Sequence, residues 1–297
     1  MIVEPPTADF VTVIEDSRRW REIELRDDDI IVSTPPKSGT TWTQGMLMSM
    51  LWPAGDPPPG TLGELSPWVD TRMHPVETVA ETLAAQQHRR FIKTHSPGDT
   101  TPFCPDLSYL TVYRNPADAL VSWGNHRAKM RPIVMEMMNE LAAADGLEPL
   151  PLQFEGDYDV LFEEWTAYCS PARHLAGWWE RRHEPNVMML HYADLSTDLH
   201  FDMRRIAAFT GIEVPDAAWP EVVERCRLDA MREHARTNWT MDRGFEGGAD
   251  AFFNKGGNGR GAQLLRDDQL QRVRDHCDEL LPADAVTWLY EGGPIPG

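Results

Sequence analysis

Five consecutive residues, Lys37-Ser38-Gly39-Thr40-Thr41, set a cation, a glycine and three hydroxyls behind the apolar run Ile30-Ile31-Val32-Ser33, separated from it only by Thr34-Pro35-Pro36. Such a series suits an anion: glycine lets backbone N–H groups converge, hydroxyls add donors, and an ammonium neutralises a single oxygen. The order is not that of a GxxxxGKS/T phosphate loop, because the lysine precedes the glycine and no glycine stands four residues further back. Lys93-Thr94-His95 places a second lysine and an imidazole two residues apart, on one face of an extended segment. A neutral imidazole can take a proton from an attacking group near pH 7. Taken singly, any of the ten histidines is more often a surface or structural residue. Lysine use sharpens the pattern. Of the 28 basic residues only four are lysines, and Lys37, Lys93 and Lys255 fall where the motifs independently place an anion.

The elements needed to position these groups can be read from hydrophobic pattern. Ile30–Ser33, RFIKTH (residues 90–95), LSYLTVYRN (107–115) and NVMMLHY (186–192) have the short, apolar, β-branched character of buried strands. Helices are expected at Thr40–Leu51, about Pro75–Gln87, from Pro116, as one long element over Tyr158–Arg182, from Thr197, over Trp219–His234, and last over Asp267–Leu281. Residues 129–157 are methionine-rich, proline-punctuated and irregular after a possible helix, which suggests a mobile lid or acceptor-side insertion. Met130, Met135, Met137 and Met138 suit either core or an adaptable pocket. Asp27-Asp28-Asp29 has the look of a solvated turn. Strands alternating with helices predict a single α/β domain over residues 1–297, with a central parallel β-sheet flanked by helices. Lys37, His95, Arg114 and Tyr192 each follow a different strand, which puts them on the carboxyl rim where such sheets bind ligands.

Composition excludes several classes. With 41% hydrophobic and 25% charged residues the chain can build a sizeable core. A net charge of −19 argues against a nucleic-acid partner. No apolar run approaches the ~20 residues that span a bilayer, and the first ten residues lack a signal peptide's basic and apolar regions. Cys104, Cys169, Cys226 and Cys277 are too scattered for a metal or disulfide framework and are expected to be reduced. The expectation is a cytoplasmic protein. Arginine-heavy usage also suits a GC-rich bacterial genome.

Four segments, TPPKSGTTW (34–42), KTHSP (93–97), YRNPADALVS (113–122) and FFNKGGNGRG (252–261), occur in one order over most of the chain. In sequence and order they resemble the cytosolic-type sulfotransferases, which use 3′-phosphoadenosine 5′-phosphosulfate (PAPS) and have a P-loop-like fold. The resemblance implies in-line transfer of a sulfuryl group to a hydroxyl or amine of a small, apolar acceptor, with no metal. It assigns His95 as general base, Lys37 to the leaving oxygen and Lys93 to the transition state. Ser38, Gly39, Thr40 and Thr41 would bind the 5′-phosphosulfate; Arg114, Ser122, Asn254, Lys255 and Gly256 would hold the 3′-phosphate end. Trp42, Tyr192, Cys226 and Leu228 would surround adenine, although Trp42 and Tyr192 also suit core packing.

The chain departs from the family at Asn254, usually arginine, at Gly261, usually tryptophan, and at Cys226 and Leu228, commonly threonine and phenylalanine. Ala262, Arg266, Asp267 and Gln271 occupy the places of the family's dimer motif, which leaves the oligomeric state open. Residues 240–262 are expected to close over the donor. The acceptor is expected to meet the variable segments 52–75, 129–157 and 240–252. A nucleotide kinase or triphosphatase fits the lysine-before-glycine loop poorly, and a non-catalytic nucleotide-binding protein fits poorly with intact Lys37, Lys93 and His95.

Overall fold

The computed structural model describes residues 2–53, 57–238, 244–253 and 256–297. Four strands, β1 (Ile30–Ser33), β2 (Phe91–Thr94), β3 (Ser108–Tyr113) and β4 (Val187–His191), form one sheet in the order β2-β1-β3-β4. All three pairings are parallel, with Val32 opposite both Lys93 and Leu110, and Tyr113 opposite His191. Alternate side chains go to opposite faces, as the pleat requires. Ile31, Ile92, Tyr109, Tyr113 and Met189 enter one core with Leu175, Trp178, Trp288 and Leu289. Ile30, Val32, Phe91, Leu110, Val112 and Leu190 enter the other, with Met46, Leu47 and Met50 of the helix Thr40–Leu51. Both faces are covered, so the strands are buried almost throughout instead of alternating between buried and exposed residues. A third cluster joins the helix Pro116–Arg127 to Pro132–Ala143 and Tyr158–Tyr168 through Leu120, Met135 and Trp165.

Buried ion pairs fasten the frame. Asp29, before β1, is buried and takes the Nε of Arg90, before β2, at 2.7 Å. The solvated-turn reading therefore holds for exposed Asp27 and Asp28 but not for Asp29. Arg127 Nε and Trp123 Nε1 both donate to Glu164 Oε1, at 2.7 and 2.8 Å, locking the Pro116 and Tyr158 helices together.

Several expected boundaries shift. The long helix over 158–182 is two, Tyr158–Tyr168 and Pro171–Trp179. Pro171 has no N–H to continue a helix, and Ser170 caps the second one by accepting from Arg173 N. The helix over 219–234 is likewise two, Trp219–Arg225 and Leu228–Asn238, parted at Cys226. Residues 129–157 contain a regular twelve-residue helix, Pro132–Ala143. Asp267–Leu280 is not the last helix; Ala283–Glu291 follows and buries Trp288 and Leu289. All four cysteines are buried and unpaired.

Candidate active site

The strand ends deliver the site. His95, Arg114 and Tyr192 are the first residues after β2, β3 and β4, and Lys37 lies four beyond β1. Lys37, Lys93, His95, Arg114 and Tyr192 line one cavity of about 660 Å³. The shared rim expected from the sequence is a shared cavity.

The β1 loop is built to present donors. Lys37 has φ 67° and Gly39 φ 117°; the left-handed region costs a lysine roughly 1–2 kcal/mol, the kind of strain that collects at functional sites. A Cβ on Gly39 would stand 3.3 Å from Tyr192 Cδ2 and 3.5 Å from Val112 Cγ1, so glycine meets both a backbone and a space requirement. Gly39 opens the helix Thr40–Leu51, and no side chain caps the first-turn N–H groups. A helix start with free donors attracts an anion. Thr40 and Thr41 line the cavity, and the Thr40 hydroxyl bonds that of Thr34. Ser38 does not line it, but its Oγ is buried and lacks a partner among the described residues.

His95 is 7% exposed. Its Nδ1 lies 2.6 Å from the Thr34 carbonyl, which can only accept, so Nδ1 carries the proton and Nε2 has the lone pair. The ring meets Trp68 edge-on, with centroids 4.9 Å apart. Asp70 Oδ2 organises the turn by accepting from Thr94 Oγ1, His95 N and Ser96 Oγ at 2.7, 3.0 and 2.6 Å. Burial, with the Lys93 ammonium next, holds His95 well below the usual histidine range and keeps it neutral. Lys93 Nζ sits 3.8 Å from the Trp68 ring centroid. Burial pulls both Lys37 and Lys93 down to about 8.

Lys37 Nζ and His126 Nδ1 are 3.1 Å apart, and Nζ also stands over the Phe252 ring at 5.1 Å. His126 is half-buried among Trp123, Phe245 and Phe252. Its place one helical turn past Ser122 was a usable signal, because residues four apart share a helix face. Glu15, Trp68, Met130 and Met138 also line the cavity. Nothing in the irregular N-terminal stretch pointed to Glu15, and Asp70 lies in no recognisable motif. Met135 is core only.

At the far end Arg114 Nη2 donates to the Gly257 carbonyl at 2.5 Å, and its guanidinium lies 4.5 Å from the Tyr192 ring centroid. Its Nε is buried without a partner among the described residues, a donor left for a ligand. Ser122 lines the same space. Trp42 packs edge-on to Tyr192 at 5.2 Å and donates to the Cys226 carbonyl at 2.8 Å. Cys226 is itself off the cavity wall, so it supports the aromatic pair through its backbone, whereas Leu228 is on the wall. A Cβ on Gly256 would come within 3.1 Å of Leu228, so the returning loop passes close over this end. Asp118 holds that loop, accepting from Gly259 N and Gly261 N at 2.8 and 2.6 Å. Asn254 and Lys255 lie outside the described residues. Among those described, no cluster of His, Cys, Asp and Glu could hold a metal ion.

The family model described as sulfotransferase domain matches residues 27–284. A glycolipid sulfotransferase of Mycobacterium bovis is 35% identical, with 97% of each chain covered. Among solved structures, mouse sulfotransferase SULT7A1 complexed with PAP superposes with a TM-score of 0.66 at 20% identity, over 93% of each chain. Retinol dehydratase in complex with retinol and PAP gives 0.68 at 18% identity, over 91% of this chain and 87% of its own.

Proposed function

The chain belongs to the sulfotransferase domain family, and from that premise we propose that it moves a sulfuryl group from PAPS to a hydroxyl of a small, largely apolar acceptor. The observation that carries this reading is the convergence of Lys37, His95 and Arg114 on one cavity, with the His95 lone pair left on Nε2 by the bond to Thr34. Nε2 takes the acceptor's proton as its oxygen attacks sulfur. The S–O bond to the donor phosphate breaks in line with the new one, through a loose arrangement in which positioning and charge neutralisation do most of the work. Lys37 leaves His126 for the departing oxygen, and Lys93 stabilises the transferring group. The uncapped helix start takes the 5′-phosphate; the orphaned Nε of Arg114, with Ser122, takes the 3′-phosphate.

PAP in the two superposed structures supports the donor. The mycobacterial relative's name, glycolipid sulfotransferase, supports an acceptor with a lipid part. So does the apolar wall of Ile14, Val121, Met130, Val134, Met138 and Phe245. Met130, Val134 and Met138 belong to the 129–157 segment, which fits its acceptor-side role, while Phe252, Gly256 and Gly257 fit a donor-closing role for 240–262. No helix among the described residues is long and apolar enough to cross a membrane. The unpaired cysteines suit a reducing compartment such as the cytoplasm. Incubation with sulfur-labelled PAPS and a panel of glycosides and alcohols should label an acceptor without added metal. Magnesium-dependent ATP turnover with no transfer from PAPS would contradict the proposal.

A further inference from the structure

One buried carboxyl in the cavity wall plays no part in the chemistry above. Glu15 lines the cavity, is 1% exposed, and its Oε2 has no hydrogen-bond partner among the described residues. Its backbone is fixed. Glu15 N donates to Thr12 Oγ1 at 2.9 Å, its carbonyl accepts from Thr12 N at 2.8 Å, and the residue bridges to Thr71. Buried polar atoms nearly always find partners, so an orphaned carboxyl oxygen on a residue that lines a ligand cavity points to a partner supplied by the ligand.

The surroundings narrow what that ligand group can be. Lys93 interacts with Glu15 through space, yet no ion pair joins them among the described residues, and Lys93 Nζ rests on Trp68 instead. Burial, and after it the Asp70 charge, push the Glu15 carboxyl well above the usual range, with Lys93 opposing. Protonated or not, such a carboxyl accepts a hydrogen bond from a hydroxyl. An ammonium on the acceptor would be repelled by Lys37 and Lys93 in the same cavity. His95 already claims the reacting hydroxyl, so the group at Glu15 belongs to another position of the same molecule.

We propose that Glu15 selects the acceptor: its carboxyl takes a hydrogen bond from a second hydroxyl, so the substrates are glycosides or other polyols with an apolar tail, not monohydric alcohols or amines. This rests on the sulfotransferase reading for the place of the reacting hydroxyl. A site built to bond a hydroxyl rejects the analogue that lacks it, because the site's own polar group is then left unpaired.

The test is binding to the PAP-loaded protein, which needs no turnover. Octyl β-glucoside and octan-1-ol are titrated by calorimetry into wild type, Glu15→Gln and Glu15→Leu. The glucoside should bind wild type at least roughly tenfold tighter than the alcohol, and Glu15→Leu should bring that ratio to about one. Glu15→Gln, which keeps size and an acceptor oxygen, should give an intermediate ratio. Equal binding of the two compounds to wild type, or a ratio unchanged in Glu15→Leu, overturns the proposal. Failure of PAP itself to bind would strike instead at the sulfotransferase reading beneath it. Because Oε2 has no partner to lose, Glu15→Leu should melt no lower than wild type, which separates selection from folding.

Discussion

Lys37 Nζ donates to His126 Nδ1 across 3.1 Å, so the ammonium assigned to the departing oxygen is held by an imidazole on the helix Pro116–Arg127. Burial, and after it the Lys37 charge, hold His126 well below the usual histidine range, which keeps it neutral and able to accept. The proposed move of the ammonium to the departing oxygen gives up this bond. Replacing His126 with phenylalanine should therefore tighten PAP binding, by about tenfold if the bond contributes about 1.5 kcal/mol, the low end for one to a charged group. Calorimetry at pH 7 checks it. Unchanged or weaker binding would show that the pair does not compete with the donor.

The pH dependence follows from the same lysines. Lys37 and Lys93 are pulled to about 8, so the free enzyme loses its cationic contacts as pH rises through that value. His95 is held neutral well below 6.5 and loses its lone pair only in stronger acid. The kcat/KM for PAPS should fall above about pH 8 and stay level on the acid side through pH 6.5. With saturating donor the alkaline limb of kcat should move up, because phosphosulfate charge stabilises the ammonium. An acid limb at the ordinary histidine value would contradict the buried, neutral His95.

Arg114 should distinguish the two phosphates. Arg114→Ala removes the unpartnered Nε and the Nη2 contact to Gly257, and should weaken 3′,5′-bisphosphate binding about 10- to 100-fold. Adenosine monophosphate should lose no more than about threefold, since it lacks the 3′ group. Equal losses for both nucleotides would remove the 3′-phosphate role.

Gly261 should tolerate no side chain. A Cβ there would lie 2.5 Å from Ala117 Cβ and 2.6 Å from Ala117 C, backbone that cannot step aside. Gly261→Ala should cost about 1–3 kcal/mol of stability and, by lifting the loop clamped by Asp118, weaken PAP. A thermal melt and a PAP titration read both effects. An unchanged melting temperature would contradict the close approach.

Gly261 also marks what the sequence could and could not disclose. In the sequence it is only a departure from the family's usual tryptophan, whereas in the fold it is the point where the loop meets the helix Pro116–Arg127. The four strands and the positions of Lys37, His95, Arg114 and Tyr192 were legible because both depend on local rules: apolar runs buried on two faces, and the residue that follows each. Pro171 is equally visible, but the amphipathic pattern runs on through it and hides the break between the two helices. Cys226 lies behind the cavity because the break between two helices, invisible to periodicity, turns its carbonyl toward Trp42. Glu15, Asp70 and the Thr34 carbonyl act through tertiary contacts with residues 24 to 78 positions away, and no spacing encodes those.

The most direct measurement is label transfer by His95→Ala alongside its PAP affinity. With Nε2 gone, transfer from labelled PAPS should drop by roughly 10²–10⁴, while PAP binds within about twofold of wild type, because His95 is assigned to the acceptor side of the cavity. Wild-type transfer rates in this variant, or loss of PAP binding in step with activity, would contradict the assignment of His95 as the base.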